Sequence, residues 1–273
     1  MKKNKNSNLI ALAIGLFLII LIALVTIFRP STLKKSDLTT VNPQNAIIEK
    51  LKNASKISSS DLAKKISGGE DMTLVDIRSE EMFASEHLLN SINVPLAKIN
   101  DEMGALNKEK AYVIVDSGST LGSVASTVGT LSDAGFKNIL YLDGGLDAWK
   151  LNYNPTISGG DPNSFTDQSK VSYIQTDKLR ELLKTEKNLA IIDVRKSGQF
   201  NEGHIKDAVN IFLDDLEKRK NDIPLGKKII LYDNDGLWAF KAATRLFDMG
   251  FFNTLALSDG LNSWKQKNYE IVK

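Results

Sequence analysis

The chain of 273 residues has no cysteine and only two histidines. Without a thiol it cannot form disulfides, thiolate metal sites, iron–sulfur clusters or a cysteine-linked lipid anchor. His87 and His204 are then the only imidazoles that could serve as a general base. We expect no metal site and no cofactor.

The chain also has no large excess of basic over acidic residues, or of acidic over basic. The chain has 35 basic and 33 acidic residues, a net charge of +2. Because Lys2, Lys3 and Lys5 precede the first apolar run, the rest of the chain holds 32 basic and 33 acidic residues. This balance gives no electrostatic reason to expect a nucleic-acid partner.

The longest apolar run covers residues 9–28 and contains no charged residue. At about 1.5 Å per residue, a helix of this length spans roughly 30 Å, the thickness of the hydrocarbon core of a bilayer. Residues 25–30, at the end of this run, do not resemble the small-x-small site of a cleaved signal peptide. The run therefore predicts an uncleaved transmembrane anchor, with a buried core helix as the weaker alternative.

The charges that flank this run are nearly equal on its two sides. Lys2, Lys3 and Lys5 precede it, and Arg29, Lys34 and Lys35 follow it. A short basic tail ahead of a first helix usually stays in the cytoplasm. We therefore expect a single-pass membrane protein with a cytoplasmic N-terminus and its domains outside the membrane.

A sequence motif occurs twice, with its residues 117 positions apart. The first copy reads Leu74-Val75-Asp76-Ile77-Arg78 with Phe83 and His87, and the second reads Ile191-Ile192-Asp193-Val194-Arg195 with Phe200 and His204. Later segments recur 115 positions apart, including Gly145-Leu146 with Trp149 and Gly260-Leu261 with Trp264. A spacing that holds over dozens of residues indicates a duplicated domain.

Each copy alternates short apolar strands with helices. The third strand, 112–115 or 229–232, runs into a loop ahead of a long helix, and the fourth, 139–142 or 254–257, leads to a Gly-Leu-x-x-Trp helix. This alternation indicates a parallel sheet with helices on both faces. Ligands bind such sheets at the carboxyl ends of the strands, so the loop after the third strand is where chemistry is expected.

Composition shifts along the chain predict its domain boundaries. The predicted order is a basic tail at 1–8, a transmembrane anchor at 9–28, a connector or stalk at 29–56, a first domain at 57–153, a linker at 154–170 and a second domain at 171–273. Two prolines and the pair Gly159-Gly160 mark the linker. Asn42-Pro43 opens a short helix that either forms a stalk or packs on the first domain.

The repeated motifs resemble those of the rhodanese family. Domain two carries Asp193-Val194-Arg195, Gly203-His204-Ile205, Ala208-Val209-Asn210, Gly250-Phe251 and Trp264, and domain one carries Asp76-Ile77-Arg78, His87-Leu88, Asn93-Val94-Pro95, Gly135-Phe136, Gly144-Gly145 and Trp149. The resemblance covers roughly 75–80% of the chain. It implies an α/β fold of two rhodanese-like domains, each a central parallel sheet with helices on both faces, behind one N-terminal transmembrane helix.

In this family the loop after the third strand opens with a cysteine, commonly as Cys-x-x-Gly-x-Arg. Backbone N–H groups of the loop and the positive end of the next helix lower the thiol pKa and hold a persulfide or an oxyanion. In domain two, Asp233 aligns with the cysteine and Trp238 with the arginine. In domain one, counting from the strand predicts Ser117 at the cysteine position, and counting back from Gly135 predicts Gly118.

The loop of domain two is therefore interpreted as a contact surface and not as a catalytic site. A carboxylate cannot accept sulfane sulfur, and Asp233 with Asp235 would repel anions. Trp238 either fills the emptied pocket or presents an exposed contact. The residues of this candidate surface are Asp233, Asn234, Asp235, Gly236, Leu237 and Trp238. A calcium loop is disfavoured because the twelve-residue pattern fails at Leu231 and Ala242.

The loop of domain one leaves several chemical alternatives. Backbone N–H groups in a Gly/Ser-rich loop could bind a small oxyanion, and the candidate residues are Ser117, Gly118, Ser119, Thr120, Leu121 and Gly122. The Gly-Lys-Ser/Thr of a nucleotide-binding P-loop is missing. A serine nucleophile would need a base, and both histidines lie in the family's structural stretch. The simplest interpretation is a solvated helix cap.

The resemblance and these loops predict no catalytic residue in the chain. The favoured hypothesis is a membrane-tethered pseudoenzyme that acts by binding a protein partner. The first alternative is a sulfurtransferase-family protein that works with a partner's cysteine. The second is a sensor that binds an oxyanion through the loop of domain one.

Overall fold

The computed structural model describes residues 43–273, except Ala105 and Thr120. The predicted tail and anchor and most of the predicted connector lie outside the described residues. Within the described part, no helix is both long enough and apolar enough to cross a membrane. Residues 44–273 form a single compact unit.

The first half begins with a helix and continues as an alternation of strands and helices. Its elements are α1 (Pro43–Leu51), β1 (Ala54–Ile57), α2 (Ser59–Ser67), β2 (Met72–Asp76), α3 (Glu80–Ser85), β3 (Glu86–His87), β4 (Ile92–Asn93), a 3₁₀ turn (Leu96–Lys98), α4 (Ile99–Met103), β5 (Ala111–Val115), α5 (Gly122–Asp133), β6 (Asn138–Leu142), α6 (Gly145–Leu151) and β7 (Ile157–Ser158). Serine side chains cap α2 and α3, where Ser58 accepts a hydrogen bond from the Asp61 N–H and Ser79 accepts one from the Met82 N–H.

The second half repeats this order. Its elements are α7 (Phe165–Ser169), β8 (Ser172–Ile174), α8 (Thr176–Thr185), β9 (Leu189–Asp193), α9 (Ser197–Glu202), β10 (Val209–Asn210), two 3₁₀ turns (Leu213–Asp215 and Lys220–Asp222), β11 (Lys228–Tyr232), α10 (Leu237–Asp248), β12 (Thr254–Leu257) and α11 (Gly260–Gln266). The duplication read from the sequence is therefore confirmed for the strands of the main sheet and the helices around them, whereas α4 has no helical counterpart and β3 and β7 correspond to a single bridge between His204 and Val272.

Each half contains one five-stranded parallel sheet, and the two sheets have the same topology. The order is β1-β6-β5-β2-β4 in domain 1 and β8-β12-β11-β9-β10 in domain 2. Alternate residues of a strand enter different apolar clusters: Val113 and Val115 join one cluster and Ile114 the other. Because alternate side chains point to opposite faces of a strand, each sheet is covered on both faces. The predicted α/β fold class is confirmed for the two domains.

The structure differs from the predicted boundary at the start of domain 1. Leu51 of α1 packs against the apolar cluster of domain 1, and β1 pairs with β6 from Ala54 onwards. The segment from residue 43 to 56 was predicted as connector, and the structure makes it part of the domain. A four-residue edge strand, only one of whose residues is buried, has too little apolar pattern to be recognised in sequence.

The predicted linker also contains ordered structure. β7 pairs antiparallel with β3, through Glu86 with Ser158 and His87 with Ile157. In domain 2 the corresponding pairing joins His204 to Val272 near the end of the chain. β7 is thus the last strand of domain 1, and only the residues that follow it connect the two domains.

Polar contacts hold the two domains against each other. The Ser158 N–H donates to Asp248 Oδ2 over 2.9 Å, and Lys170 Nζ lies 2.9 Å from Asp248 Oδ1 and 3.1 Å from Asp167 Oδ1. Burial lowers the pKa of Lys170, but hydrogen bonds and charges from these two carboxylates outweigh it and raise that pKa above its usual value. The Nε2 atom of His87 lies 3.0 Å from Oε1 of Glu217 in domain 2.

Candidate functional site

A buried carboxylate–guanidinium pair ends the same strand in each domain. Asp76 is fully buried at the end of β2, and its carboxylate accepts hydrogen bonds from the backbone N–H of Arg78 (3.0 Å) and from Nε of the same residue (2.9 Å). Asp193 and Arg195 repeat this geometry at 2.9 and 3.0 Å. Both pairs therefore have a structural role at the end of their strand.

In domain 2 the arginine of this pair also reaches the candidate loop. Arg195 Nη2 donates to the Gly203 carbonyl over 2.9 Å, and Nη1 donates to Asn234 Oδ1 over 3.2 Å. Burial acts to lower the pKa of Arg195, but its hydrogen bonds and ion pair with Asp193 raise it overall. The guanidinium is therefore a fixed support beneath the loop.

The loop between β11 and α10 curls around the carboxylate of Asp233, which is only 4% exposed. Oδ1 accepts the N–H of Gly236 over 2.7 Å and lies 3.4 Å from the N of Ala239, and Oδ2 accepts the N–H of Trp238 over 3.0 Å. These N–H groups belong to the loop and to the first turn of α10, where they would otherwise lack partners. The chain's own carboxylate thus fills the anion position.

The charge of this carboxylate is strongly influenced by its surroundings. Burial raises the pKa of Asp233, hydrogen bonds from the Trp238 and Gly236 N–H groups act in the opposite direction, and Asp235 adds to the rise. The net shift is upward. A second anion entering the loop would meet this buried charge.

The loop of domain 1 has a buried aspartate at its start. Asp116 Oδ1 accepts the N–H of Gly118 over 3.0 Å, and Oδ2 accepts the hydroxyl of Ser123 over 3.0 Å. Burial raises the pKa of Asp116, against the lowering effect of the Ser123 and Gly118 hydrogen bonds. The loop that was predicted to bind an oxyanion therefore also contains its own carboxylate.

Backbone pairing shows which residues of the two loops correspond. The carbonyl of Asp116 accepts the N–H of Leu146 over 2.8 Å, and the carbonyl of Asp233 accepts the N–H of Leu261 over 2.7 Å. Each aspartate directly follows the last residue of its strand, β5 or β11. Asp116 is therefore the counterpart of Asp233.

The match of Ser117 or Gly118 to the cysteine position is corrected by this correspondence. Six residues separate β5 from α5, whereas four separate β11 from α10. The two additional residues lie after Asp116, so counting back from Gly135 by the spacing found in domain 2 ends at Gly118, two positions short of Asp116. The signal in the sequence is the constant spacing of 117 residues: applied to Asp233, it identifies Asp116.

Two of the candidate residues of domain 1 line a small cavity of about 210 Å³. Ser117 and Ser119 line it together with Arg78 and Asp116. Leu121 is 42% exposed, and Thr120 lies outside the described residues. The Gly118 N–H, one of the predicted anion donors, already binds Asp116. Anion binding by this loop stays a prediction.

The candidate surface of domain 2 is smaller than the sequence predicts. Asp233 and Gly236 are buried, because the loop closes over them. A Cβ added to Gly236 would lie 2.2 Å from the Ser258 carbonyl oxygen, at a φ of +98°. Asp235 and Leu237 are exposed, and Trp238 is half-buried with its ring 5.7 Å from that of Phe212. Trp238 thus fills the space beside the loop and keeps one exposed edge.

The two histidines are fixed by local contacts. His87 stacks on Phe83 with ring centroids 4.0 Å apart, and His204 stacks on Phe200 at 3.7 Å. Their Nδ1 atoms lie 2.8 and 3.1 Å from the carbonyl oxygens of the same two phenylalanines. In the described part of the chain neither imidazole hydrogen-bonds a serine, so the geometry offers no serine–histidine pair.

Relatives of known name match a part of the chain that is about as long as one domain. One is a sulfurtransferase from Allochromatium vinosum, 24% identical over 102 residues that cover 37% of this chain and 95% of the relative. Another is the thiosulfate sulfurtransferase GlpE of Coxiella burnetii, 29% identical over 106 residues that cover 38% of this chain and 92% of the relative. Each relative is about as long as one domain of this chain, and nearly all of its length is matched.

A solved structure and a family profile match more of the chain. The crystal structure of thiosulfate sulfurtransferase from Pseudomonas aeruginosa is 20% identical with a TM-score of 0.43, and the match covers 80% of this chain but 43% of that chain. The profile of the rhodanese-like domain matches residues 58–152 and again residues 175–267. The chain therefore belongs to the rhodanese-like domain family and contains two such domains, neither of which has a cysteine.

Proposed function

We propose that this protein is a membrane-tethered tandem rhodanese-like protein that has no sulfurtransferase activity of its own and acts by binding a protein partner. One observation carries the proposal. In each domain a buried aspartate directly follows β5 or β11, where the family has its cysteine. Asp116 accepts one backbone N–H and the Ser123 hydroxyl, and Asp233 accepts the backbone N–H groups of Gly236 and Trp238. The chemistry of the family requires a thiolate nucleophile at that point.

A carboxylate cannot replace that thiolate. A carboxylate does not take up sulfane sulfur from a donor, and the donors of the domain 2 loop are already engaged by Asp233. Because relatives are named as sulfurtransferases, we keep the alternative in which sulfur chemistry occurs at a partner's cysteine. In that case, too, the contribution of this chain is to bind the partner.

The oxyanion sensor is supported less well. The cavity beside Ser117 and Ser119 includes the Asp116 carboxylate, which opposes a second negative charge. Arg78, the cation of that cavity, is already paired with Asp76 at the end of β2. We therefore keep this function as the weaker proposal.

The tether and its orientation are supported by the sequence. The uncharged run at 9–28 has the length of a bilayer core, and the short basic tail ahead of it favours a cytoplasmic N-terminus. We propose that the two domains lie on the other side of the membrane. For the partner contact we propose the exposed part of the domain 2 loop, with Asp235, Leu237 and the edge of Trp238.

The absence of cysteine allows a clean test in intact cells. A full-length chain with Leu237→Cys is labelled with a membrane-impermeant, thiol-reactive photo-crosslinker and compared with Leu151→Cys, at an exposed position at the end of α6 in domain 1. We expect both variants to be labelled from outside the cell. Only Leu237→Cys should then form a discrete covalent adduct with another protein.

Each part of this result can fail separately. If neither variant is labelled until the membrane is permeabilised, the proposed orientation is wrong. If both are labelled and both form the same adducts, or neither forms any, the loop of domain 2 is not the contact surface. Leu237 and Leu151 are matched controls because both are exposed leucines on helices of this fold.

A further inference from the structure

A cavity lined by cationic and aromatic side chains lies in domain 2, on a different part of the surface from the loop. It has a volume of about 550 Å³ and lies between α8, the turn after α9 and the segment that follows α11. The buried ring of Trp264 and the half-buried ring of Tyr269 form its wall. A cavity of this size with an aromatic wall is typical of a small-molecule site.

Three cationic side chains line this cavity. They are Arg180 and Lys184 of α8 and Lys206 of the turn after α9, and all three are exposed. Among the described residues, none of the three forms an ion pair, although nearby Lys178 and Lys267 are paired with Glu181 and Asp177. The three charges are therefore available to a ligand.

The acidic residues at the cavity do not neutralise these charges. Asp207 and Glu270 also line it, which leaves one net positive charge. Asp177 lies near Arg180 but is already held by Lys267 Nζ at 2.6 Å and by the Tyr269 hydroxyl at 2.7 Å. A ligand with two negative charges would be attracted more strongly than one with a single charge.

The aromatic wall holds the guanidinium in place. Cζ of Arg180 lies 4.2 Å from the centroid of the Tyr269 ring, and that ring packs edge-on against Trp264 with centroids 5.1 Å apart. A guanidinium stacked on a ring loses little further freedom when its N–H groups bind an anion. Its planar fork matches two oxygens of a phosphate group.

Domain 1 provides an internal comparison, because the same positions can be identified there. α2 and α8 begin at equivalent residues, Asn90 and Asp207 share a positive φ of 63° and 62°, and Trp149 and Trp264 each donate their indole N–H to the carbonyl six residues on. The counterparts of Arg180, Lys184, Lys206 and Tyr269 are then Ala63, Ser67, Leu89 and Asn154.

The fold therefore does not need these charges. Domain 1 builds the same sheet and the same helices with no charged side chain at any of the four positions. The cations are a property of domain 2 alone, and they surround a cavity. We propose that this cavity binds a ligand through a phosphate group, carried either by a soluble phosphate ester or by an anionic phospholipid headgroup.

The test uses the full-length chain in uncharged detergent micelles. Glycerol 3-phosphate is titrated by calorimetry as the soluble probe, and phosphatidylglycerol is added to the micelles as the lipid probe, with tryptophan fluorescence as its readout. The key variant carries the residues of domain 1: Arg180→Ala, Lys184→Ser and Lys206→Leu. Its control removes three exposed lysines of domain 1: Lys64→Ala, Lys98→Ala and Lys137→Ala.

We expect the key variant to bind its probe at least about tenfold more weakly than the wild type, since losing one charge-assisted hydrogen bond already has that effect. The control should bind as the wild type does. Binding of glycerol 3-phosphate identifies a soluble ester, and binding of phosphatidylglycerol alone identifies a headgroup. If neither probe binds, or if the key variant and the control weaken binding equally, the proposal is overturned.

A single substitution tests the same site if the triple variant is unstable. Lys206→Leu alone places a domain 1 residue in an exposed turn, where a change of fold is not expected. It should weaken binding in the same direction, whereas unchanged binding would argue against the site. This inference does not depend on the proposed role of the domain 2 loop.

Discussion

Replacing Asp193 with alanine is expected to lower the free energy of unfolding of domain 2 by about 3–5 kcal/mol, because it leaves a buried charge without its partner. Arg195 is 3% exposed, and its Nη2 lies 2.6 Å from Asp193 Oδ2. The remaining contacts of the guanidinium, the Gly203 carbonyl and the side chain of Asn234, carry no negative charge. The variant should also loosen the loop, since Arg195 holds Asn234.

Urea denaturation of the full-length chain, followed by tryptophan fluorescence, measures this loss. The matched control is Asp222→Ala, which removes an exposed carboxylate that is 2.8 Å from Arg219 Nε. A surface pair of this kind contributes about 0–1 kcal/mol. If Asp193→Ala and Asp222→Ala were to lower the free energy of unfolding equally, the buried pair would not have the structural role that we assign to it.

Replacing Gly260 with alanine is expected to cost about 2–3 kcal/mol and to displace the domain 2 loop. Gly260 has a φ of +58°, and an added Cβ would lie 2.4 Å from the carbonyl carbon and oxygen of Asn234 and 2.5 Å from the N of Asp235. A left-handed conformation is costly for alanine, and the backbone atoms it meets cannot turn aside as a side chain can. The first turn of α11 and the loop would have to separate.

Two other glycines separate the clash from the backbone conformation. Gly250 has a φ of +91° with no atom within 4 Å of an added Cβ, so Gly250→Ala tests the strained backbone alone, at about 1 kcal/mol. Gly198 has neither feature, and Gly198→Ala should change the free energy of unfolding by no more than about 0.5 kcal/mol. Equal losses for Gly260→Ala and Gly250→Ala would show that the close approach of the loop to α11 contributes nothing.

Most of the fold follows from patterns that the sequence displays. The apolar runs that end in Asp76 and Asp193 are long enough to be recognised as buried strands, and the spacing of 117 residues places them in corresponding positions of two domains. The elements that were missed are short. β7 has two residues, and its partner β3 lies about 70 residues earlier in the chain, so no local pattern signals the pairing.

The candidate site was predicted in part. The sequence identifies the loop and the replacement of its cysteine by Asp233, because both follow from the position of a strand end. It does not reveal that the carboxylate turns inward and accepts the N–H groups of Gly236 and Trp238. That depends on the path of the loop backbone, for which sequence has no periodic signal.

Contacts between residues far apart in the chain could not be predicted from the sequence either. The cationic cavity of domain 2 combines a helix, a turn and the last residues of the chain, and its significance appears only when Arg180 is compared with Ala63 in the other domain. The contact of His87 with Glu217, 130 residues apart, joins the two domains in the same way. No local sequence pattern around His87 or Glu217 predicts this contact.

The most direct test of the central claim is the formation of thiocyanate from thiosulfate and cyanide by the full-length chain. Because we propose that Asp116 and Asp233 occupy the position of the family's cysteine, we predict the same rate with and without the protein, while a cysteine-containing thiosulfate sulfurtransferase is active under the same conditions. Thiocyanate formation that stays with the chain through a second purification, and that is lost in Asp233→Ala, would contradict the account.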